Sequence, residues 1–411
     1  MYKKVSILIV VMSFALFGCS SSNATNKQVT LDFWTTTGEI ETNAIVEVVK
    51  KFEEQNPTIK VNVKEVEFEK AANQFKTATL SNSAPDIFRA DIGWTTEFAD
   101  LGVLLSLKDK VTEADKKDYF ESAFKYNMYE NDIYGIPMVT DAPALLYNKK
   151  MLAESGYENP PETMEELLEI AKSVTNPTEN QYGIYISPDS YYSLPYVWGF
   201  GGGMISDDNE IMIGNSGSVD GIDFMMKLLN EKVAQPYTNF DNWNAVMMED
   251  FKTGKVAMII NGPWATTDIL NGGEFQTSTN LGVVPVPAGP NGQGSPVGGH
   301  NLVISKYTDT PDEAYQFIEF LNNVENQVYF AKELGILPTR QSAYDDKELL
   351  ENPIFQGFRS QLEVATSRPV IPEGSLLFGD FTANLTSILM REITTIEGLG
   401  NVEDAWNYLI N

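Results

Sequence analysis

Few residues in this 411-residue chain could carry out covalent chemistry. It has one cysteine, Cys19, and one histidine, His300. A single histidine excludes His-rich metal sites and argues against a zinc hydrolase. With 57 Asp and Glu residues, some carboxylates must lie near one another, so counting leaves a glycosidase-like acid pair open. Gly199-Phe200-Gly201-Gly202-Gly203 has the look of a phosphate loop. Met204, however, stands where G-x-G-x-x-G needs its last glycine, and no P-loop Lys-Ser/Thr follows. The run reads instead as a flexible loop ending an aromatic segment. More telling are aromatics interleaved with acids and amides: Trp94, Tyr191, Tyr192, Trp198, Trp243 and Trp264. A sugar ring needs a flat aromatic for its C–H face and Asp, Glu, Asn or Arg for its hydroxyl rim. Each hydroxyl buried without a partner costs on the order of 1–3 kcal/mol. Composition alone does not separate such a site from ordinary core aromatics. Trp34 and Trp406 read as structural.

The N-terminus bears on where the protein works. Lys3 and Lys4 precede an apolar run over residues 5–17. That run is shorter than the roughly 20 residues of a spanning helix and has the size of a signal-peptide core. Gly18-Cys19 after it resembles the lipobox of bacterial lipoproteins, with Phe17 where a smaller residue is usual. The resemblance implies removal of residues 1–18, lipid on Cys19, and a polar tether over residues 19–28. A chain so modified keeps no free thiol, which excludes disulfides, Cys-ligated zinc and a cysteine nucleophile.

A formal net charge of −28 disfavours nucleic acid, whose phosphates are bound by clustered Lys and Arg. It also disfavours adsorption to an anionic membrane, so retention there would need covalent lipid. At 43% hydrophobic content the chain can bury a large core and should divide into two domains. Val29, Leu31 and Phe33 alternate with polar neighbours, as a strand requires. Ala44, Ile45, Val48, Val49 and Phe52 recur at helical spacing over 39–52, stopped by Asn56-Pro57. A strand near 59–63, a helix over 68–80 and a strand after Pro85 continue the alternation. This predicts doubly wound α/β layers with a mostly parallel sheet. Later helices are predicted over 163–174, capped by Thr163, and over 219–233, 312–321, 353–364 and 378–393. Residues 255–260 read as a buried strand, and Gly/Pro-rich 288–299 as a surface loop.

Several motifs resemble one family. Asn261-Gly262-Pro263-Trp264-Ala265 is similar to a segment of maltose- and maltodextrin-binding proteins. Pro85-Asp86-Ile87 leading to Asp91 and Trp94 resembles their first-domain stretch, as do Tyr134-Gly135-Ile136-Pro137 and Asp141 to Lys149. Gly298-Gly299-His300-Asn301 and Arg368-Pro369-Val370-Ile371-Pro372 are closer to the trehalose/maltose branch than to the enterobacterial maltose branch. The motifs run in family order from about Val29 to the C-terminus. They mark a resemblance to the extracellular solute-binding proteins of the maltose/maltodextrin/trehalose group, the substrate-binding lipoproteins of ABC sugar importers.

The resemblance implies a periplasmic-binding-protein fold, with two α/β lobes joined by three hinge crossings and ligand in the interlobe cleft. The first lobe is expected over 29–139 plus 286–334, the second over 140–285 plus 335–411. Crossings are expected near Thr140, near 283–286 and near Gly335. Trp264 is similar to the main stacking platform. Glu39 and Asp91 resemble first-lobe acceptors for hydroxyls, though either could instead cap the helix after it. Trp94 is expected close by. Asp141 and Arg368 resemble ligand-contacting charges. Gly299 and His300 match a loop that usually carries glycine and then an indole, and Tyr192 falls where the second lobe supplies aromatics. The implied function is capture of a maltose-, maltodextrin- or trehalose-type oligosaccharide and its delivery to a membrane permease, by a monomer without cofactor, metal or catalysis. Another oligosaccharide, or an extracellular glycoside hydrolase, stays open as an alternative.

Overall fold

The computed structural model describes residues 28–206, 210–236 and 240–411; the signal segment, Cys19 and most of the tether lie outside the described residues. The chain opens with β1 (Val29–Thr35), α1 (Glu39–Gln55), β2 (Ile59–Glu65), α2 (Phe68–Leu80), β3 (Ile87–Asp91) and α3 (Ile92–Asp100). The periodicities explain this order. Ala44, Ile45, Val48, Val49 and Phe52 form the buried stripe of α1, and the helix ends where the Asn56 N–H caps the Phe52 carbonyl ahead of Pro57. A short hairpin, β4 (Met128–Tyr129) and β5 (Asp132–Ile133), leads into β6 (Gly135–Asp141).

The chain then enters a second sheet built from β7 (Ala144–Asn148), β8 (Tyr182–Ile184), β9 (Val256–Asn261) and β10 (Leu281–Val284). It returns to the first sheet through β11 (Gly298–Ile304) and β12 (Leu337–Pro338). The first sheet has the order β12-β6-β11-β3-β1-β2, the second β10-β7-β9-β8. Strands β2, β1 and β3 are parallel, as the strand–helix alternation predicts. β11, inserted between β3 and β6, runs antiparallel to both, so the sheet is mixed rather than mostly parallel. The reason is long-range: β11 arrives from the other sheet by an extended passage instead of a crossover helix.

Sheet boundaries fall a few residues from those expected. β6 stays in the first sheet to Asp141, and Leu337 and Pro338 still pair with it. Gly335, with φ of 73°, closes the Val324–Leu334 helix and does not mark the passage between lobes. Each lobe has its own core. Phe33, Phe52 and Phe317 pack edge to face in the first. In the second, the terminal helices Leu377–Leu389 and Thr395–Ile410 bury Phe381 and Trp406, whose indole N–H bonds the Leu377 carbonyl at 2.9 Å. Ile92, Tyr126 and Val297, with Ala365 and Val370 against them, form a small separate cluster at the junction between the sheets.

Three extended segments run side by side through that junction. The Ser295 hydroxyl donates to the Pro143 carbonyl at 2.6 Å, tying the second passage to the first. Thr366 donates its N–H to Ser295 and accepts from the Val297 N–H, at 2.8 and 2.9 Å. Gly294 to Gly299 are therefore buried, whereas only Pro290, Asn291 and Gln293 nearby are fully exposed, so the expected surface loop is half interior. Glycine signals close approach as well as turns. A Cβ on Gly298 would collide with Asp141 and the Tyr191 hydroxyl, and one on Gly299, at φ of 130°, with the Val139 carbonyl. The Gly199–Gly203 run is likewise a packing feature, because Gly202 fits against Ser218 at the start of the Ser216–Asn230 helix.

Candidate functional site

The junction collects charge. β3 alternates Phe88 and Ala90 into one face and Arg89 and Asp91 into the other. Arg89 is buried and donates to Glu41 on α1 at 2.7 Å, while its Nε has no partner. Asp91 ends the strand and caps α3, accepting from the Gly93 N–H at 2.7 Å. The same carboxylate oxygen meets Arg368 Nη2 at 3.2 Å. Arg368 is fixed further by its Nε–H to the Val297 carbonyl at 2.9 Å, and its backbone N–H donates to the Tyr126 hydroxyl at 2.8 Å. Its guanidinium also lies 5.7 Å from the Tyr191 ring centroid. Burial pulls the Arg368 pKa down, but Asp91, Tyr191, Tyr126 and Asp141 outweigh it and the value ends up raised.

Asp141 closes β6 directly opposite Gly298 of β11. Burial drives its carboxyl up to about 7 and Asp91 and Glu41 push the same way, against the opposing pull of Arg368 and Arg89. His300, on β11 opposite Asp91, has two ring nitrogens that are shut off from water and unpartnered. Burial first, then Arg89 and Arg368, holds its pKa well below the usual histidine value, so the ring stays neutral. A neutral imidazole offers one donor and one acceptor. The junction thus presents unused hydrogen-bonding atoms on Arg89, His300 and Thr140, held by sheet register.

The second lobe contributes aromatics. β9 ends at Asn261, whose side chain accepts from the Gly262 N–H at 2.8 Å and starts a tight turn. The Trp264 indole lies flat against Gly262, where any Cβ would strike the ring, and 42% of its surface stays exposed. Beside it is the Tyr192 hydroxyl, raised in pKa by burial first and then by Asp189 and Asp141. Tyr192 and Tyr191 open the Ser190–Gly199 helix, capped by Asp189 through the Tyr191 N–H at 2.9 Å. Trp243 stands edge-on to Tyr192 at 5.4 Å. An exposed aromatic with fixed polar groups near it is the layout a hydroxyl-rich ring requires.

Comparison with known proteins gives this layout a context. The profile of the bacterial extracellular solute-binding proteins matches residues 47–357. The chain belongs to that family. The maltodextrin-binding protein MdxE of Bacillus subtilis is 26% identical over 389 residues, covering 90% of this chain and 89% of MdxE. The maltotriose-binding protein of Pyrococcus abyssi is 25% identical over 324 residues, 77% of this chain and 68% of its own length. The GacH receptor of Streptomyces glaucescens, solved unliganded and with acarbose and an acarbose homolog, is 33% identical with a TM-score of 0.88. That alignment covers 93% of this chain and 98% of GacH. The fold of this solute-binding protein is accordingly the two-lobe one.

Of the residues singled out in the sequence, Asp91, Asp141, Gly299, His300 and Arg368 meet at the lobe junction, and Trp264 and Tyr192 stand together on the second lobe. Glu39 is exposed at the first position of α1; Gly38, not Glu39, is the N-cap. Glu41, two residues on, is the acid that reaches Arg89. Trp94 is only 8% exposed, with Phe88 stacked at 6.0 Å and 17°. Arg89 and Glu41 were missed by sequence reasoning. The signal for Arg89 was present: two charges at i and i+2 in an otherwise apolar five-residue strand.

Proposed function

We propose that this solute-binding protein captures an α-linked glucose oligosaccharide of maltose, maltodextrin or trehalose type in the cleft between its lobes. Closure presents the loaded form to the permease of an ABC importer. The carrying observation is a line of neighbours from the exposed, backbone-held Trp264 on the second lobe through Tyr192 to Asp141, beside the fixed Asp91–Arg368 pair at the junction. The similarity to proteins named for maltodextrin and maltotriose supports the sugar class. Membership of a solute-binding family supports a binding role in which no glycosidic bond is broken. The protein acts as a monomer outside the cytoplasmic membrane, held to it by lipid on Cys19.

A thermal-shift panel of maltose, maltotriose, longer maltodextrins and trehalose tests the reading. A bound sugar should stabilise the fold by the linkage term, roughly 2.7 kcal/mol at a hundredfold excess over Kd, and raise Tm accordingly. No shift from any of the four would overturn the sugar assignment. Prolonged incubation with maltotriose should release no new reducing ends, and palmitate labelling should vanish in Cys19→Ala.

A further inference from the structure

The first lobe carries an exposed aromatic that the layout above leaves without a role. Phe68 opens α2 and is 43% exposed, although it continues the helical stripe of Ala71 and Phe75 that packs into the core. Its ring lies 5.0 Å from that of Trp94 at 34°, and 6.3 Å from that of His300 at 74°. Trp94 itself is packed among Phe68, Phe88 and Phe98, all within 6.5 Å, so little of its surface is left for a ligand. His300, the edge-on neighbour of Phe68, faces Arg89 and Arg368 and brings two unpartnered nitrogens. Phe68 therefore adjoins the polar junction on one side and rests on a rigid aromatic stack on the other.

We infer that Phe68 is the stacking platform of the first lobe, with Trp94 as its backing and His300 as the hydrogen-bonding group at its edge. The inference rests on the sugar reading above. It explains why a large apolar side chain stays exposed beside buried polar atoms without partners: a sugar ring would cover the phenyl face while its rim satisfies the imidazole. A phenyl ring makes this platform smaller than the indole of Trp264 and selects by shape alone, since it adds no donor.

Titration of the full chain by calorimetry, using whichever panel sugar shifts the parent most, decides the matter. Phe68→Ala should weaken binding about tenfold or more, and Phe68→Tyr should stay within about threefold. Phe68→Leu keeps apolar bulk without a flat face, and should lose nearly as much as Ala. Leu binding like the parent, or Ala within about twofold of it, would overturn the platform role. Trp94→Leu, which removes the flat backing, should weaken binding about threefold and Trp94→Phe should restore it; unchanged affinity in Trp94→Leu would overturn the backing role. A parent that binds no sugar overturns the sugar reading, and the platform with it, whereas a binding parent with an unaffected Phe68→Ala overturns the platform alone.

Discussion

The two sides of the cleft solve recognition by different means. At the junction, charges and unpaired polar atoms sit on the ends of β3, β6 and β11, fixed by register: His300 opposite Asp91, Asp141 opposite Gly298. On the second lobe, the exposed Trp264 and its neighbour Tyr192 hang from a tight turn and a short helix. Hydrogen bonds tolerate little misplacement, so directional groups belong on strands. A flat ring needs only an orientation, and Gly262 supplies it by letting the indole lie on the backbone. The contrast implies that breaking a paired charge at the junction destabilises the fold, while damage to the second wall costs affinity alone.

The sharpest test is Arg368→Ala. This arginine is 9% exposed and joins Asp91, the Val297 carbonyl and Tyr126, groups that belong to different segments of the junction. Removing one partner of a buried pair leaves an uncompensated charge, so urea unfolding should show a loss of about 3–5 kcal/mol. Arg368→Lys should rescue little, because an ammonium does not reproduce the planar fork. A loss under about 1 kcal/mol would break the comparison.

Trp264→Ala should behave in the opposite way. Its exposed ring contributes little to folding, so Tm should move by no more than a degree or two, whereas affinity should fall by about 2 kcal/mol, roughly thirtyfold. Calorimetry and a thermal melt on the same sample separate the two effects.

Asp141→Asn probes the junction by pH. A carboxyl raised to about 7 contributes stability that is complete below its unfolded value near 3.8 and lost as pH rises through 7. The unliganded Asn variant should therefore gain on the parent between pH 5 and 7.5, by about 1–2 kcal/mol, and hold that lead above it. Its sugar affinity should fall at the same time, a cost of removing a ligand-facing carboxylate. A Tm difference that is flat with pH would show that Asp141 is not the titrating group.

The difference between the walls also separates what was legible in the sequence from what was not. Helical spacing and strand alternation are local, and α2 spans the predicted 68–80, while the Thr163 hydroxyl caps its helix as expected, accepting from Glu166 at 3.2 Å. The junction is non-local. Choosing Glu41 over Glu39 as the partner of Arg89 requires knowing how α1 is rotated on the sheet. The buried half of 288–299 is hidden because its glycines serve contact with Asp141, Tyr191 and Val139, not a turn. Trp264 stood out through its local Asn-Gly-Pro-Trp motif, yet its exposure depends on the whole lobe.

The smallest effect expected concerns His300, and it divides the pH response of the junction in two. Its pKa is depressed, so the stability it contributes is complete above the unfolded histidine value of about 6.5 and is lost as pH falls below it. Asp141 acts over the whole range from about pH 7 down to 3.8, strengthening the fold as pH falls, and His300 opposes it only below about 6.5. His300→Gln, which keeps a donor and an acceptor without a titrating ring, should gain on the parent as pH falls from 6.5 to 5, by less than about 1 kcal/mol. Affinity near pH 6.5 should show no histidine step, because the folded ring is already neutral. A step there in the parent that disappears in His300→Gln would mean that water reaches the imidazole in the open form and that the junction is less rigid than its register implies.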